Sequence, residues 1–179
     1  MKKITHILSS LLIAGILISA CGESEQQKDA QQPKQEEKQE EKKADEPLVE
    51  QEVVEITIKA QGDDMANISY DKEEIEVVEG SKIRITLVNE SKTKGMPHNM
   101  VVVTFGEGKR IADAGVKAGQ DNEFVPKDDK DVIAYSPLAE IQETVTFEFE
   151  APEVGSYHYI CTYPGHFPKM FGTLNVVEY

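Results

Sequence analysis

The chain of 179 residues carries 33 acidic against 19 basic side chains, a formal net charge of −14, with two cysteines and no tryptophan. The acid excess argues against nucleic acid as a partner, and two cysteines allow at most one disulfide. Residues 22–52 are almost entirely Glu, Gln, Lys, Asp and Ala, whereas residues 53–179 alternate apolar and polar positions, so one folded domain is expected behind a polar lead.

Lys2 and Lys3 precede an apolar run from Ile7 to Ala20. The run is too short to span a bilayer comfortably and suits the hydrophobic region of an export signal, so residues 1–20 read as a signal peptide. It ends Ile18-Ser19-Ala20-Cys21, which resembles a bacterial lipobox. That resemblance implies cleavage before Cys21, a diacylglycerol on its sulfur, and an exported protein anchored to a bacterial membrane, facing the periplasm or the cell exterior. Cys21 and Cys161 then have separate uses, and no disulfide is expected. Residues 21–52 have too little apolar surface to offset the entropy of ordering and read as a lipid-anchored disordered linker, about 100 Å long when fully extended.

From Val53 the period becomes two. Ile56, Ile58 and Ala60 alternate with Glu55, Thr57 and Lys59; Ile83, Ile85 and Leu87 with Lys82, Arg84 and Thr86; Val145, Phe147 and Phe149 with Thr144, Thr146 and Glu148. Each reads as a strand with one face on a core. Ile75–Val78, Asn99–Phe105, Val132–Tyr135, Tyr157–Cys161 and Phe171–Val177 are further strands, separated by turn signals such as Glu79-Gly80 and Pro164-Gly165. The polar stretch 107–130 is too long for a hairpin turn and is expected to hold a short helix near Ile111–Ala118. The fold class is therefore all-β, a sandwich of about eight strands over residues 53–179, with a short helical flap.

The chemistry concentrates in Cys161-Thr-Tyr-Pro-Gly-His166-Phe-Pro-Lys-Met170. Taken singly, a cysteine or methionine reads as packing and a histidine as a loop residue. Together, a thiolate, an imidazole and a thioether folded by a turn at Pro164-Gly165 can converge on one metal ion. A second imidazole would complete two His, one Cys and a weak axial Met, the donor set of a blue-copper site. His98, after the Gly95-Met96-Pro97 turn and at the start of an apolar strand, is the residue placed to supply it. His158 lies three residues before Cys161, so on a strand it faces away from the cysteine.

The motif, followed by Phe171-Gly-Thr-Leu, resembles the C-terminal metal loop of azurin-like blue (type 1) copper proteins of the cupredoxin family, and Pro97-His98-Asn99 resembles that family's first ligand strand. The resemblance covers about residues 53–179. It implies a Greek-key sandwich, one copper per domain, His98, Cys161 and His166 as equatorial ligands and Met170 as axial ligand. It further implies that Asn99 and Thr162 tie the two ligand loops together and that the backbone N–H groups of Asn99 and Tyr163 hydrogen-bond the Cys161 sulfur. It places an edge of His166 at the surface within an apolar collar of Met96, Pro97, Pro164, Phe167 and Pro168, where electrons would enter. Three departures stand out: Pro97 replaces a glycine whose carbonyl approaches the metal, the disulfide that azurin carries is lacking, and the buried tryptophan has no counterpart, Met100 lying near its place.

These implications describe a membrane-anchored one-electron carrier rather than an enzyme. It would pass electrons to redox proteins of respiratory or photosynthetic chains, such as cytochromes, as a monomer or in transient complexes. A copper enzyme needs a second metal with about three more histidines, and after signal removal only His158 is spare. An extracytoplasmic copper carrier or sensor is the alternative, suggested by Met65, Met96, Met100 and Met170; it requires an open, exchange-competent site.

Overall fold

The computed structural model describes residues 52–179. The predicted signal at 1–20, the lipidation site Cys21 and the linker at 21–52, apart from its last residue, lie outside the described residues. Among the described residues nine strands form two sheets. One sheet contains β1 (Val54–Gln61), β2 (Ser69–Tyr70), β4 (Lys82–Asn89) and β7 (Thr144–Glu150) in the order β2-β1-β4-β7. The other contains β3 (Glu74–Val78), β5 (Val101–Thr104), β6 (Val132–Tyr135), β8 (Gly155–Ile160) and β9 (Phe171–Val177) in the order β3-β9-β8-β5-β6. β1 runs parallel to β4 and β3 parallel to β9; the other pairings are antiparallel. This is the expected Greek-key sandwich.

The alternation places the core. Ile83, Ile85 and Leu87 of β4 are all but sealed from solvent and meet Ile58, Met100, Val102, Tyr159 and Leu174 between the sheets. Each such aliphatic side chain contributes about 1.5–3 kcal/mol by burial. The opposite face of the same strands is a charge ladder, in which Arg84 donates to Glu148 on β7 and to Glu55 on β1. β5 breaks the alternation because Val101, Val102 and Val103 are all buried. A helix, α1 (Gly108–Ala118), covers its outer face, and Val101, Val103, Ile111, Val125 and Ile160 form a second apolar cluster there. A Cβ on Gly115 would lie 2.2 Å from the Phe124 carbonyl oxygen and 3.1 Å from Thr162 Cβ, so only glycine lets α1 approach the loop after β8 this closely.

The expected count of about eight strands rises to nine. The addition, Ser69–Tyr70, is a two-residue strand, too short for any periodicity to announce. The helix begins three residues earlier than expected, at Gly108. The strand expected from Asn99 begins at Val101, and His98 instead makes an isolated antiparallel bridge with Ala139. Among the described residues no helix is long and apolar enough to cross a membrane.

Candidate metal centre

Two loops at one end of the sandwich meet. The first leads into β5 and carries His98. Its backbone is clamped on both sides: His98 N–H donates to the Ala139 carbonyl at 3.0 Å and Ala139 N–H returns a bond to the His98 carbonyl at 2.7 Å. The buried Asn89 side chain donates to the carbonyls of Met96 and Ala139, and Ser136 exchanges bonds with the backbone of Met100. The second loop joins β8 to β9. A turn at Pro164-Gly165, with Gly165 at φ 85°, is closed by His166 N–H on the Tyr163 carbonyl at 3.0 Å. Met170 N–H then donates to the His166 carbonyl, and Cys161 N–H to the Met170 carbonyl, each at 3.0 Å.

The result brings His98, Cys161 and His166 together, with ligand atoms within 4.8 Å of one another and no solvent exposure. The Nδ1 atoms of the two histidines are 3.1 Å apart, and the Cys161 sulfur lies 3.6 Å from His166 Nδ1. Met170 is also wholly buried and joined by backbone bonds to both loop ligands. Asn99 and Thr162 link the loops. The Asn99 amide nitrogen donates to Thr162 Oγ1 at 2.9 Å, and Thr162 N–H donates to Asn99 Oδ1 at 2.9 Å.

Burial sets the protonation of these groups. It pushes the Cys161 thiol up to about 12, while the backbone N–H groups of Asn99 and Tyr163 act on the sulfur in the opposite sense. Burial lowers His98 to about 3, with His166 adding to the effect, and lowers His166 to about 4. Both rings are therefore neutral across the physiological range, the form in which imidazole binds a metal. Among the described residues the buried side-chain nitrogens without a partner are His98 Nε2 and His166 Nε2. Without a cation, the facing Nδ1 atoms must share a proton. With a cation both can offer lone pairs, each ring keeping its proton on Nε2. A soft thiolate and two imidazoles are the donors copper takes.

The expected collar needs correction. His166 has no exposed edge, and Met96 (6% exposed) and Pro97 are buried rather than at the surface. Met96 packs into the main core because Asn89 draws its carbonyl inward. Phe167 is half-buried and joins the cluster beneath α1, Pro164 is half-buried, and Pro168 is exposed. Met65, 47% exposed, covers the loop instead, its Cε 3.0 Å from where a Cβ on Gly165 would lie. His158, which opposes Val103 and Thr173, packs against Phe105 with ring centres 4.5 Å apart and planes tilted by 46°. Sequence reasoning missed three supports of the site: the Glu123 carbonyl, which accepts from the Asn99 amide at 2.9 Å, the Tyr70 hydroxyl, and Ser136. Backbone acceptors leave no signal in residue types, and Tyr70 belongs to the strand that was not expected.

A model of copper-binding proteins of the plastocyanin/azurin family matches residues 54–177. Auracyanin-A of Chloroflexus aurantiacus is 42% identical over 125 residues, covering 69% of this chain and 74% of that protein. Azurin-1 of Alcaligenes xylosoxydans xylosoxydans is 34% identical over 130 residues, covering 69% of this chain and 99% of that protein. The solved structure of auracyanin A, a "blue" copper protein of Chloroflexus aurantiacus, superposes with a TM-score of 0.63 at 39% identity, covering 70% of this chain and all of that one. Dithionite-reduced auracyanin from Roseiflexus castenholzii gives 0.62 at 31% identity, covering 69% of this chain and 97% of that one.

Proposed function

The chain belongs to the plastocyanin/azurin family of copper-binding proteins, and from that premise we propose that it is a type 1 blue-copper electron carrier held at the outer side of a bacterial membrane. The observation that carries the reading is the sealed triad of His98, Cys161 and His166, two neutral imidazoles and one thiol at a loop–loop junction. Copper bound there supplies a one-electron Cu(II)/Cu(I) couple. His98 and His166 would hold it through Nδ1 lone pairs, and Cys161 would hold it as the deprotonated thiolate. The N–H groups of Asn99 and Tyr163 disperse the sulfur charge, which helps to set the potential. Met170, buried in the same loop, would add a weak fourth donor. The bonds that lock both loops would hold these donors in place around the ion. The carrier or sensor alternative asked for an open site, whereas every donor group here is buried.

Copper-loaded protein should be blue from sulfur-to-metal charge transfer, and Cys161→Ser should be colourless. A serine variant that kept a strong visible band would remove Cys161 from the coordination sphere.

Attachment rests on the lipobox-like Ile18-Ser19-Ala20-Cys21, and the polar stretch behind it gives the domain reach toward membrane-bound redox partners. Cys21→Ala should release the protein from the membrane fraction of expressing cells. Wild-type protein found wholly in the soluble fraction would refute the anchor.

A further inference from the structure

We propose that Tyr70 is a positioning residue for the metal centre: its hydroxyl, by holding the Asn99 carbonyl, sets how closely the Asn99 N–H engages the Cys161 sulfur. The inference rests on the copper reading above but concerns a residue outside the donor set, whose hydroxyl bonds to Asn99.

Tyr70 closes the two-residue β2, where it pairs with Ala60 of β1. Its side chain is buried (5% exposed), and its hydroxyl donates to the Asn99 carbonyl at 2.5 Å. The ring has little freedom. It packs at 5.6 Å, tilted by 57°, on Tyr159, two residues before Cys161. Tyr159 is itself fixed at both ends. Its hydroxyl donates to the Lys72 carbonyl at 2.7 Å, and its ring lies on Gly172 of β9, where a Cβ would come within 2.1 Å of it. Two locked aromatic rings therefore aim one hydroxyl at one carbonyl.

Asn99 is the residue where that matters. It has no solvent exposure and follows His98 directly. Its side chain is committed to Thr162 and to the Glu123 carbonyl, and its N–H is one of the two backbone groups that act on the buried Cys161 sulfur. The carbonyl is its one polar group held from the four-stranded sheet, so the Tyr70 bond is a strut across the sandwich that ends beside the metal. The N–H and C=O of a residue pivot on the same Cα. With the side chain anchored, releasing the carbonyl lets the residue rotate, and the N–H moves relative to the sulfur. A sulfur that loses part of a hydrogen bond keeps more of its charge, donates more strongly to the oxidised metal and gives up an electron to it at lower energy. Tyr163 still donates to the sulfur, so the metal is retained.

The test is Tyr70→Phe in the full copper-loaded chain, beside Tyr157→Phe, which removes a hydroxyl bond that ends on the Glu153 carbonyl and takes no part in the strut. Tyr70→Phe should shift the visible band to lower energy and lower the reduction potential at full copper occupancy. Tyr157→Phe should move neither. A Tyr70→Phe protein with the wild-type band and potential, whatever its stability, overturns the proposal. NMR on the metal-free wild-type chain reads the strut without any variant and without copper. The Tyr70 hydroxyl proton should exchange slowly and give a cross-peak to Asn99, and a freely exchanging hydroxyl overturns the proposal as well. Failure of the copper reading looks different: wild-type protein that takes up copper and stays colourless.

Discussion

Metal affinity should rise with pH at a slope fixed by the burial of the three donors, and the slope distinguishes this site from an exposed one. In the metal-free protein at neutral pH the thiol, pushed up to about 12, is protonated, and the imidazoles, lowered to about 3 and about 4, are not. Binding then releases one proton, from Cys161, and each pH unit strengthens it tenfold, about 1.4 kcal/mol. From pH 5 to pH 8 the gain is about a thousandfold. Were both imidazoles at the ordinary value of about 6.5, each would add roughly a further thirtyfold as it lost its own proton, for a total of about a millionfold. Competition with a chelator whose own protonation is known, using Zn(II) as a redox-silent probe, reads the slope directly. Cys161→Ser should bind more weakly with a slope near zero over the same range. A wild-type slope that climbs toward three below pH 6 would show that the histidines titrate as exposed groups and would refute the sealed site.

Much of this molecule is legible in its sequence because its signals are local. The alternation in Ile83–Leu87 and Val145–Phe149 gives strands without further help, and Cys161, His166 and Met170 lie within one loop that a turn can close. What holds that loop is not local. Asn89 reaches Ala139 across 50 residues, Tyr70 reaches Asn99 across 29 and Tyr159 reaches Lys72 across 87. In each case the acceptor is a carbonyl, which every residue possesses, so no residue type marks it. The surface around the site was misjudged for a related reason. Met65 and Met96 both stand in polar loops beside turns, and sequence alone does not decide which is drawn under and which is laid over the metal loop. The Asn89 side chain decides it by taking the Met96 carbonyl into the interior. The triple-buried Val101–Val103 run is the intermediate case, since three consecutive valines signal burial on both faces once α1 is recognised as a lid.

The same burial predicts how the metal-free protein responds to pH. Unfolded histidines take up protons below about 6.5, whereas folded His166 and His98 do so only near 4 and 3, so stability is present above pH 6.5 and lost as pH falls toward those values. By pH 5 the two together should cost about 4 kcal/mol, read from denaturant midpoints, and an unchanged midpoint between pH 7 and pH 5 would refute it. At the other end, the folded Cys161 thiol stays protonated up to about 12 while the unfolded thiol ionises near 9, so stability should decline again as pH rises through that interval. The last prediction concerns the partner surface. His166 is sealed, so a partner meets the loop through its exposed surroundings, among them the large apolar side chain of Met65 against Gly165. A small apolar contact of this kind suits a transient redox encounter, because it sheds little bound water and separates quickly. Met65→Glu would force a carboxylate into that contact and should slow electron exchange with a redox partner by on the order of tenfold, since each 1.4 kcal/mol of added desolvation cost is a factor of ten. The visible band should not move, because Met65 lies outside the donor set. The net charge of −14 acts separately, over longer range: it should steer basic partners, so association should slow with added salt in the wild type and the variant alike. Stopped-flow traces at two ionic strengths separate the two effects. If Met65→Glu exchanged electrons at the wild-type rate at high salt, electrons would have to cross elsewhere on the domain.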